Sequence, residues 1–484
     1  MNTRLSPLNT AELWLVCAYL GLLLLVGLLG WKSRKSDSLV DFYLGNRSTG
    51  LWVLLLTMYA TQYSGNTLFG FTGKTYRVGF AWTVSIQFMT TIVVVYLTFA
   101  PRLFAISRRH TFITPGDYLQ HRFSYRPLSI AATLIMVIAI GNFLLAQMMA
   151  MGKAVEGLVE LDSWTAYSGG VVFLAAIIVV YETLGGFRAV AWTDAVQGSI
   201  LCVGFAALLF LMFERFGSLE QATAILAERA PETLQPPDAA GTREWISYLL
   251  VVGVGAALYP QAIQRIYCAR NASTLRRSLM VMAFLPLLTT TVSIIAGIMG
   301  RAWLPDLITE QTDSLLTLMC REIQQHSELG RWLVVILFAA ILAAIMSTAD
   351  SILLSISSMI TRDVYGPWIG SRGTEQHLMQ TGKRISWLCI SAAATGAILL
   401  RDTTLVTLLD RKLDLLIQLS PAFILGVWWP RLSARPVLAG IAAGVIIVIA
   451  MTASGYGKLY GFHAGLYGLA LNMAVCVTAS LPRN

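Results

Sequence analysis

The chain has 484 residues, 56% of them hydrophobic and 13% charged, with a mean hydropathy of +0.66. That composition excludes an ordinary soluble fold of this length and places the chain in a lipid bilayer. The net charge of +9 on so apolar a chain reads as anchoring at the inner leaflet and not as nucleic-acid binding.

Apolar runs of about 18 residues or more can cross the hydrocarbon core, and about thirteen occur. In chain order they lie near 12-31, 51-73, 80-105, 128-150, 164-184, 193-215, 245-267, 278-300, 331-358, 384-400, 404-428, 437-455 and 464-481. The expected architecture is an all-α integral membrane protein forming one transmembrane domain over 1-484. Lys32, Arg34 and Lys35 follow the first run, so the positive-inside rule puts the N-terminus outside, and an odd number of crossings brings the C-terminus inside. Arginine-bearing loops at 102-126, 270-277, 362-384 and 431-435 then fall on the inner side, while the acidic stretches 216-244 and 301-330 fall outside. No basic segment precedes the first run and no small-x-small cleavage site follows it, so it reads as a retained span.

The second run is interrupted by Tyr59-Ala-Thr-Gln-Tyr-Ser-Gly-Asn-Thr67, a polar patch at mid-membrane depth. A helix break is tolerated there only where protein or a water-filled cavity surrounds it, and its freed carbonyls then serve as ligands. A patch of small residues packing one helix on another is the alternative. Residues 68-75, Leu-Phe-Gly-Phe-Thr-Gly-Lys-Thr, imitate a phosphate-binding loop, but Leu68 stands where that motif needs glycine. The run at 128-150 carries Asn142 and Gln147. Between the fifth and sixth runs, Gly185 and Gly186 permit a tight turn, and Asp194 is expected to start the next helix, its charge suiting the N-terminal dipole.

In the seventh run, Pro260 removes a backbone donor and turns Tyr259, Gln261 and Gln264 toward a cavity, or merely kinks the helix. The run at 331-358 places Ala344, Ser347, Thr348, Ser351, Ser355 and Ser358 at spacings of three and four, in one stripe, with Asp350 about 60° to one side. Hydroxyls beside an acid at this depth replace part of the water shell of a small hard cation. Asp410, Arg411, Lys412 and Asp414 read as outer-edge charges that snorkel and pair with one another. Six cysteines and five histidines are dispersed singly, which leaves no disulfide framework, no metal cluster and no enzyme constellation, so no catalytic residue and no cofactor are expected.

Ala343-Ala-Ile-Met-Ser-Thr-Ala-Asp-Ser351 with Thr361-Arg-Asp-Val-Tyr365, and Leu184-Gly-Gly-Phe-Arg188 with Trp192-Thr-Asp-Ala-Val-Gln197, carry a resemblance to the sodium:solute symporter family. Tyr43-Leu-Gly-Asn-Arg47 adds a weaker match, and the likeness covers nearly the whole chain. It implies a leucine-transporter-type core of five plus five inverted helices, with 51-215 and 245-428 as the two repeats, 12-31 as an extra N-terminal helix and 437-481 as two C-terminal helices. It also implies a sodium-coupled importer of a small organic solute in the bacterial inner membrane. The family's shared sodium site falls on the backbone carbonyls of Ala60, Tyr63 and Ala344 and the hydroxyls of Ser347 and Thr348. A second sodium, present in some relatives, corresponds to Asp194, Asp350 and Ser351.

Solute contacts are expected from Gln62, Ser64, Gly65, Asn142, Gln147, Tyr259 and Gln261. Gln62 stands where proline symporters carry an acid. The segments Tyr259-Pro-Gln-Ala-Ile-Gln-Arg-Ile-Tyr267 and Gly300-Arg-Ala-Trp-Leu-Pro305 are nearer to pantothenate-like members, which points to a carboxylate, amino acid or vitamin. The sodium ion is the coupling ion; its partners are the solute and the bilayer. A sensor with a transporter-like membrane domain is the competing reading.

Overall fold

A computed structural model describes residues 10–34, 36–156, 162–309, 312, 315–326, 328–369, 374–401 and 405–480. The sequence features at Lys35 and Arg372 and the Asp410 side chain lie outside them.

The described chain is helical almost throughout, with one two-residue hairpin, Lys458–Leu459 against Phe462–His463. Its helices are α1 Thr10–Lys32, α2 Leu39–Leu44, α3 Leu51–Gln62, α4 Gly65–Val78, α5 Val84–Arg109, α6 Pro115–Phe123, α7 Arg126–Glu156 and α8 Ser163–Gly185. Next come α9 Phe187–Phe216, α10 Leu219–Arg229, α11 Ala239–Ala257, α12 Pro260–Cys268, α13 Ala272–Met282, α14 Leu285–Trp303 and α15 Leu315–His326. The remainder are α16 Glu328–Met359, α17 Gly366–Ile369, α18 Glu375–Leu399, α19 Leu405–Leu416, α20 Gly426–Trp428, α21 Ala434–Ala453 and α22 Ala464–Thr478.

Among the described residues the apolar runs fall largely on helix, but their lengths and charges are unequal. Among the described residues, eight helical stretches are long and apolar enough to cross a membrane, or nine when the bent pair α11 and α12 counts as one span. The stretches outside 12-31 and the other long runs are shorter, as α3 and α22 are, or carry more charge, as α18 does. The expected outer loops also hold helix, at α10 and α15.

Burial sorts the spans. The best apolar window of α16 is 83% buried inside the protein, against 33% for α1 and 28% for α21, so α16 is the axis and α1 and α21 line the rim. Large apolar side chains such as Trp52, Ile138, Phe210, Phe284, Leu388 and Ile446 point outward. On a soluble protein such a belt is an aggregation hazard; in lipid it is the solvated surface.

Two spans are broken at the positions their chemistry marks. Between α3 and α4, Tyr63 (φ −102°, ψ 102°) is extended, and the last helical bond runs from the Tyr63 N–H to the Tyr59 carbonyl at 3.0 Å. The carbonyls of Ala60, Thr61 and Gln62 therefore lie past the end of the α-helical ladder. Between α11 and α12, Pro260 takes the first helical position of a new helix, and the two axes differ by 51°. The proline does more than kink the span, because it cannot continue the donor series but suits a helix start.

Gly186 (φ 59°) joins α8 directly to α9, and a Cβ there would overlap the Phe42 carbonyl and ring. The tight turn expected at Gly185 and Gly186 forms, and α9 already runs from Phe187, ahead of the start expected at Asp194.

Candidate functional site

α9 starting at Phe187 puts Asp194 two turns inside the helix, fully buried, so it is no helix cap. Its carboxylate instead ties three elements together. Ser347 on α16 donates to Oδ1, Thr57 on α3 donates to Oδ2, and Nη2 of Arg265 on α12 lies 2.8 Å from Oδ2. A buried carboxylate needs such partners, since isolated charge in an apolar interior is prohibitive.

Arg265, 2% exposed, is the residue the sequence reading passed over. Its Nε donates to Thr57 Oγ1 at 2.8 Å, Nη1 to the Gln261 carbonyl at 3.0 Å and Nη2 to Ser351 Oγ at 2.5 Å as well as to Asp194. An arginine inside a run otherwise read as membrane-crossing was the available signal, because such a charge is a functional mark by default.

The five residues of the expected first cation site, Ala60, Tyr63, Ala344, Ser347 and Thr348, are all buried. The tie through Asp194 brings the last turns of α3 against the serine stripe of α16. Thr348 donates to the Ala344 carbonyl at 2.9 Å, which leaves the hydroxyl's lone pairs turned away from its own helix. The second group is spoken for differently. Asp194 and Ser351 are engaged by Arg265, while Asp350 accepts from Tyr181 Oη at 2.6 Å and from Ser351 Oγ at 3.2 Å.

Farther along α16 the stripe is closed. Ser355 donates to Gln264 Oε1 at 2.7 Å, and Gln264 Nε2 donates to Ser358 Oγ at 2.6 Å and to the Ile113 carbonyl at 3.2 Å. The Ser355 and Ser358 end of the stripe is therefore occupied by hydrogen bonds to Gln264 of α12.

The expected solute residues divide into two sets. Gln62 is spanned to α5 through Tyr96, donating to its hydroxyl at 2.7 Å, while Ser64 is buried at the break and Gly65 opens α4. At the second break, Tyr259 stacks on Phe143 of α7, ring centroids 5.9 Å apart. Gln261 is completely buried with both amide atoms lacking a hydrogen-bond partner, and Gln147, one turn beyond Phe143, leaves its Oε1 unpartnered. Asn142 is half-buried on the same helix. Unmet amide groups at this depth are rare in finished protein interiors and mark where a polar ligand or water belongs.

The charged segment in the second half of α19 differs from its expected role. Lys412 and Asp414 do not snorkel: they are 5% and 4% exposed. The Lys412 ammonium sits 3.0 Å from the Phe143 ring centroid and 5.4 Å from that of Tyr259, and Asp414 Oδ1 accepts the Gly465 N–H at 3.0 Å where α22 begins. A basic side chain thus faces the aromatic pair at the second break.

Residues 42–444 match the family model described as Sodium:solute symporter family. The chain is 26% identical over 440 residues to a sodium/pantothenate symporter of Haemophilus influenzae, covering 89% of this chain and 88% of that one. It is also 26% identical over 462 residues to an osmoregulated proline transporter of Bacillus subtilis, covering 94% and 92%. A solved sodium-coupled sialic acid symporter, in a substrate-bound outward-open state, superposes with a TM-score of 0.81 at 19% identity, over 98% of each chain. A closed nucleobase-cation symporter with bromovinylhydantoin bound gives a TM-score of 0.58 at 15% identity, over 93% and 95%.

Proposed function

Because the chain belongs to the sodium:solute symporter family, we propose that it imports a small carboxylate-bearing solute with sodium by alternating access. The observation that carries this reading is the Asp194 carboxylate joining the broken α3 to the hydroxyl stripe of α16. Sodium sits on the carbonyls of Ala60, Tyr63 and Ala344 and the hydroxyls of Ser347 and Thr348. It is an all-oxygen set suited to a hard cation. Bound there, the ion holds the break between α3 and α4 in a shape that binds solute, and solute in turn tightens sodium, since coupling free energy is reciprocal. Each sodium moving inward at 100 mV contributes about 2.3 kcal/mol before its concentration gradient is added.

Charge counting bears on the second cation. Asp194 and Asp350 bring two carboxylates and Arg265 one guanidinium, so the fully ionised cluster retains one negative charge. Asp350, with Ser351 and Tyr181 around it, is the place for one further monovalent cation, and Arg265 fills the part of that site nearest Asp194.

The solute lies between the two breaks, against Gln62, Ser64, Gly65, Asn142, Gln147, Tyr259 and Gln261. The orphan amides of Gln261 and Gln147 and the Lys412 ammonium favour an anionic group at the second break. The two halves, 51–215 and 245–428, form the inverted repeats, with 12–31 before them and 437–481 after. The protein lies in the bacterial inner membrane, N-terminus outside.

Uptake of labelled pantothenate, proline and sialic acid into vesicles, with sodium or potassium outside at a fixed potential, tests the reading. At least one solute is expected to enter only with sodium. Equal uptake in both salts for all three, with no sodium-dependent thermal shift of the purified chain, removes it. Lys412→Gln is expected to weaken the half-saturation of the transported carboxylate at least about tenfold, the scale of one charge-assisted hydrogen bond, while the sodium-induced thermal shift stays. An unchanged solute curve excludes Lys412 from the solute site.

A further inference from the structure

One cavity lies outside the transport site, where the end of α5 faces the segment that follows α19. It encloses about 520 Å³ and its wall includes Arg102, Arg109 and Arg122, with Ala105, Ile106 and Val427 between them. Among the described residues, no carboxylate lines it. Arg102, Ala105, Ile106 and Arg109 are spaced three, one and three apart, so they share one face of α5, basic at both ends and apolar in the middle.

The three guanidiniums differ in what holds them. Arg122 is fixed to backbone: Nε donates to the Gly426 carbonyl at 2.7 Å and Nη2 to that of Trp429 at 2.8 Å. Arg102 lies over the Trp428 ring, 4.5 Å from its centroid, and Trp428 is 54% exposed with its indole N–H donated to the Thr98 carbonyl at 2.8 Å. Arg109, in the last turn of α5, is exposed. An outward tryptophan anchored beside arginines at the end of an apolar span is the pattern of a membrane–water boundary.

We propose that this cavity binds the phosphate-bearing headgroup of an anionic membrane lipid. Arg109 and Arg102 meet the phosphate, for which the planar guanidinium is the fitting donor, and Ala105, Ile106 and Val427 carry the start of the acyl chains into the bilayer. The site touches α5 and the turn at Gly426–Trp428 together, so an occupied cavity clamps the end of α5 to the last part of the second half. A basic pocket between spanning helices on the cytoplasmic side suits such a headgroup because it combines charge with an apolar floor that a soluble anion does not use.

The test is native mass spectrometry of the full chain in detergent with phosphatidylglycerol or phosphatidylcholine added, and with inorganic phosphate alone in a third arm. The chain is expected to retain phosphatidylglycerol in preference to phosphatidylcholine, and Arg102→Gln with Arg109→Gln to lose that preference, by about fivefold per arginine. Thermal unfolding in phosphatidylcholine checks that the double variant is folded, and Arg435→Gln, away from the cavity wall, is the charge-matched control. Equal retention of the two lipids, an undiminished preference in the double variant or an equal loss in the control overturns the proposal. Retention of inorganic phosphate as strong as that of phosphatidylglycerol overturns the lipid assignment.

Discussion

Arg265→Ala is expected to lower the stability of the folded chain by about 3–5 kcal/mol, because it strands a carboxylate in the protein interior. Arg265 and Asp194 have side chains 3% and 0% exposed and lie 2.8 Å apart, so neither charge reaches water when the other is removed. The same substitution also leaves Thr57 Oγ1 and Ser351 Oγ without the donor that now holds them. Asp194→Ala is expected to do comparable damage by stranding the guanidinium. Asp194→Asn with Arg265→Gln, which removes both charges and keeps hydrogen-bonding groups, should cost clearly less than the sum of the two alanine changes. Thermal unfolding of the purified variants measures this; a melting temperature for Arg265→Ala equal to that of the parent shows that the pair does not hold the helices together.

Ser347→Ala and Thr348→Ala are each expected to raise the sodium concentration for half-maximal uptake about tenfold or more, as loss of an oxygen ligand to a cation costs roughly 1.5–3 kcal/mol. Ser358→Ala, whose hydroxyl is taken up by Gln264 and the Ser355 carbonyl, should change it less than about twofold, the range of a substitution away from the site. Because Ser347 also donates to Asp194, a loss through that carboxylate has to be separated from loss of an ion ligand. Thr57→Ala supplies the comparison, since Thr57 donates to the same carboxylate but is not one of the proposed ligands. A sodium curve for Thr57→Ala displaced as far as that for Ser347→Ala assigns the effect to Asp194, and superimposable curves for Ser347→Ala, Thr348→Ala and Ser358→Ala remove the site.

These two expectations differ in where they became visible. Ser347 and Thr348 were legible in the chain, because spacings of three and four on one helix place hydroxyls on one face whatever the helix packs against. The break after Gln62 and the new helix at Pro260 were legible for the same kind of reason: a polar patch in an apolar run and a missing backbone donor act within a turn of their own position. Asp194 was misread as a cap because the apolar run begins only near 193, whereas the helix already starts at Phe187 directly after the glycine turn, and Arg265 was passed over because it sits among other polar residues. Lys412 was misread in the opposite sense. Charges near a span end ordinarily snorkel to water, and nothing within a few residues indicates that Phe143 and Tyr259 will cover this one.

The chain by itself determined that this protein lives in a bilayer, where its helices break and which face of α16 carries the hydroxyl stripe, since these follow from transfer energies and backbone geometry over a few turns. Which partner each buried charge would find was decided only by tertiary structure. Asp194 meets Arg265, Thr57 and Ser347 across separations of 71, 137 and 153 residues. The low dielectric demands that a buried carboxylate be matched, but only the docking of α3, α9, α12 and α16 selects the match, because the Coulomb term rewards any close opposite charge and packing alone determines which one is close.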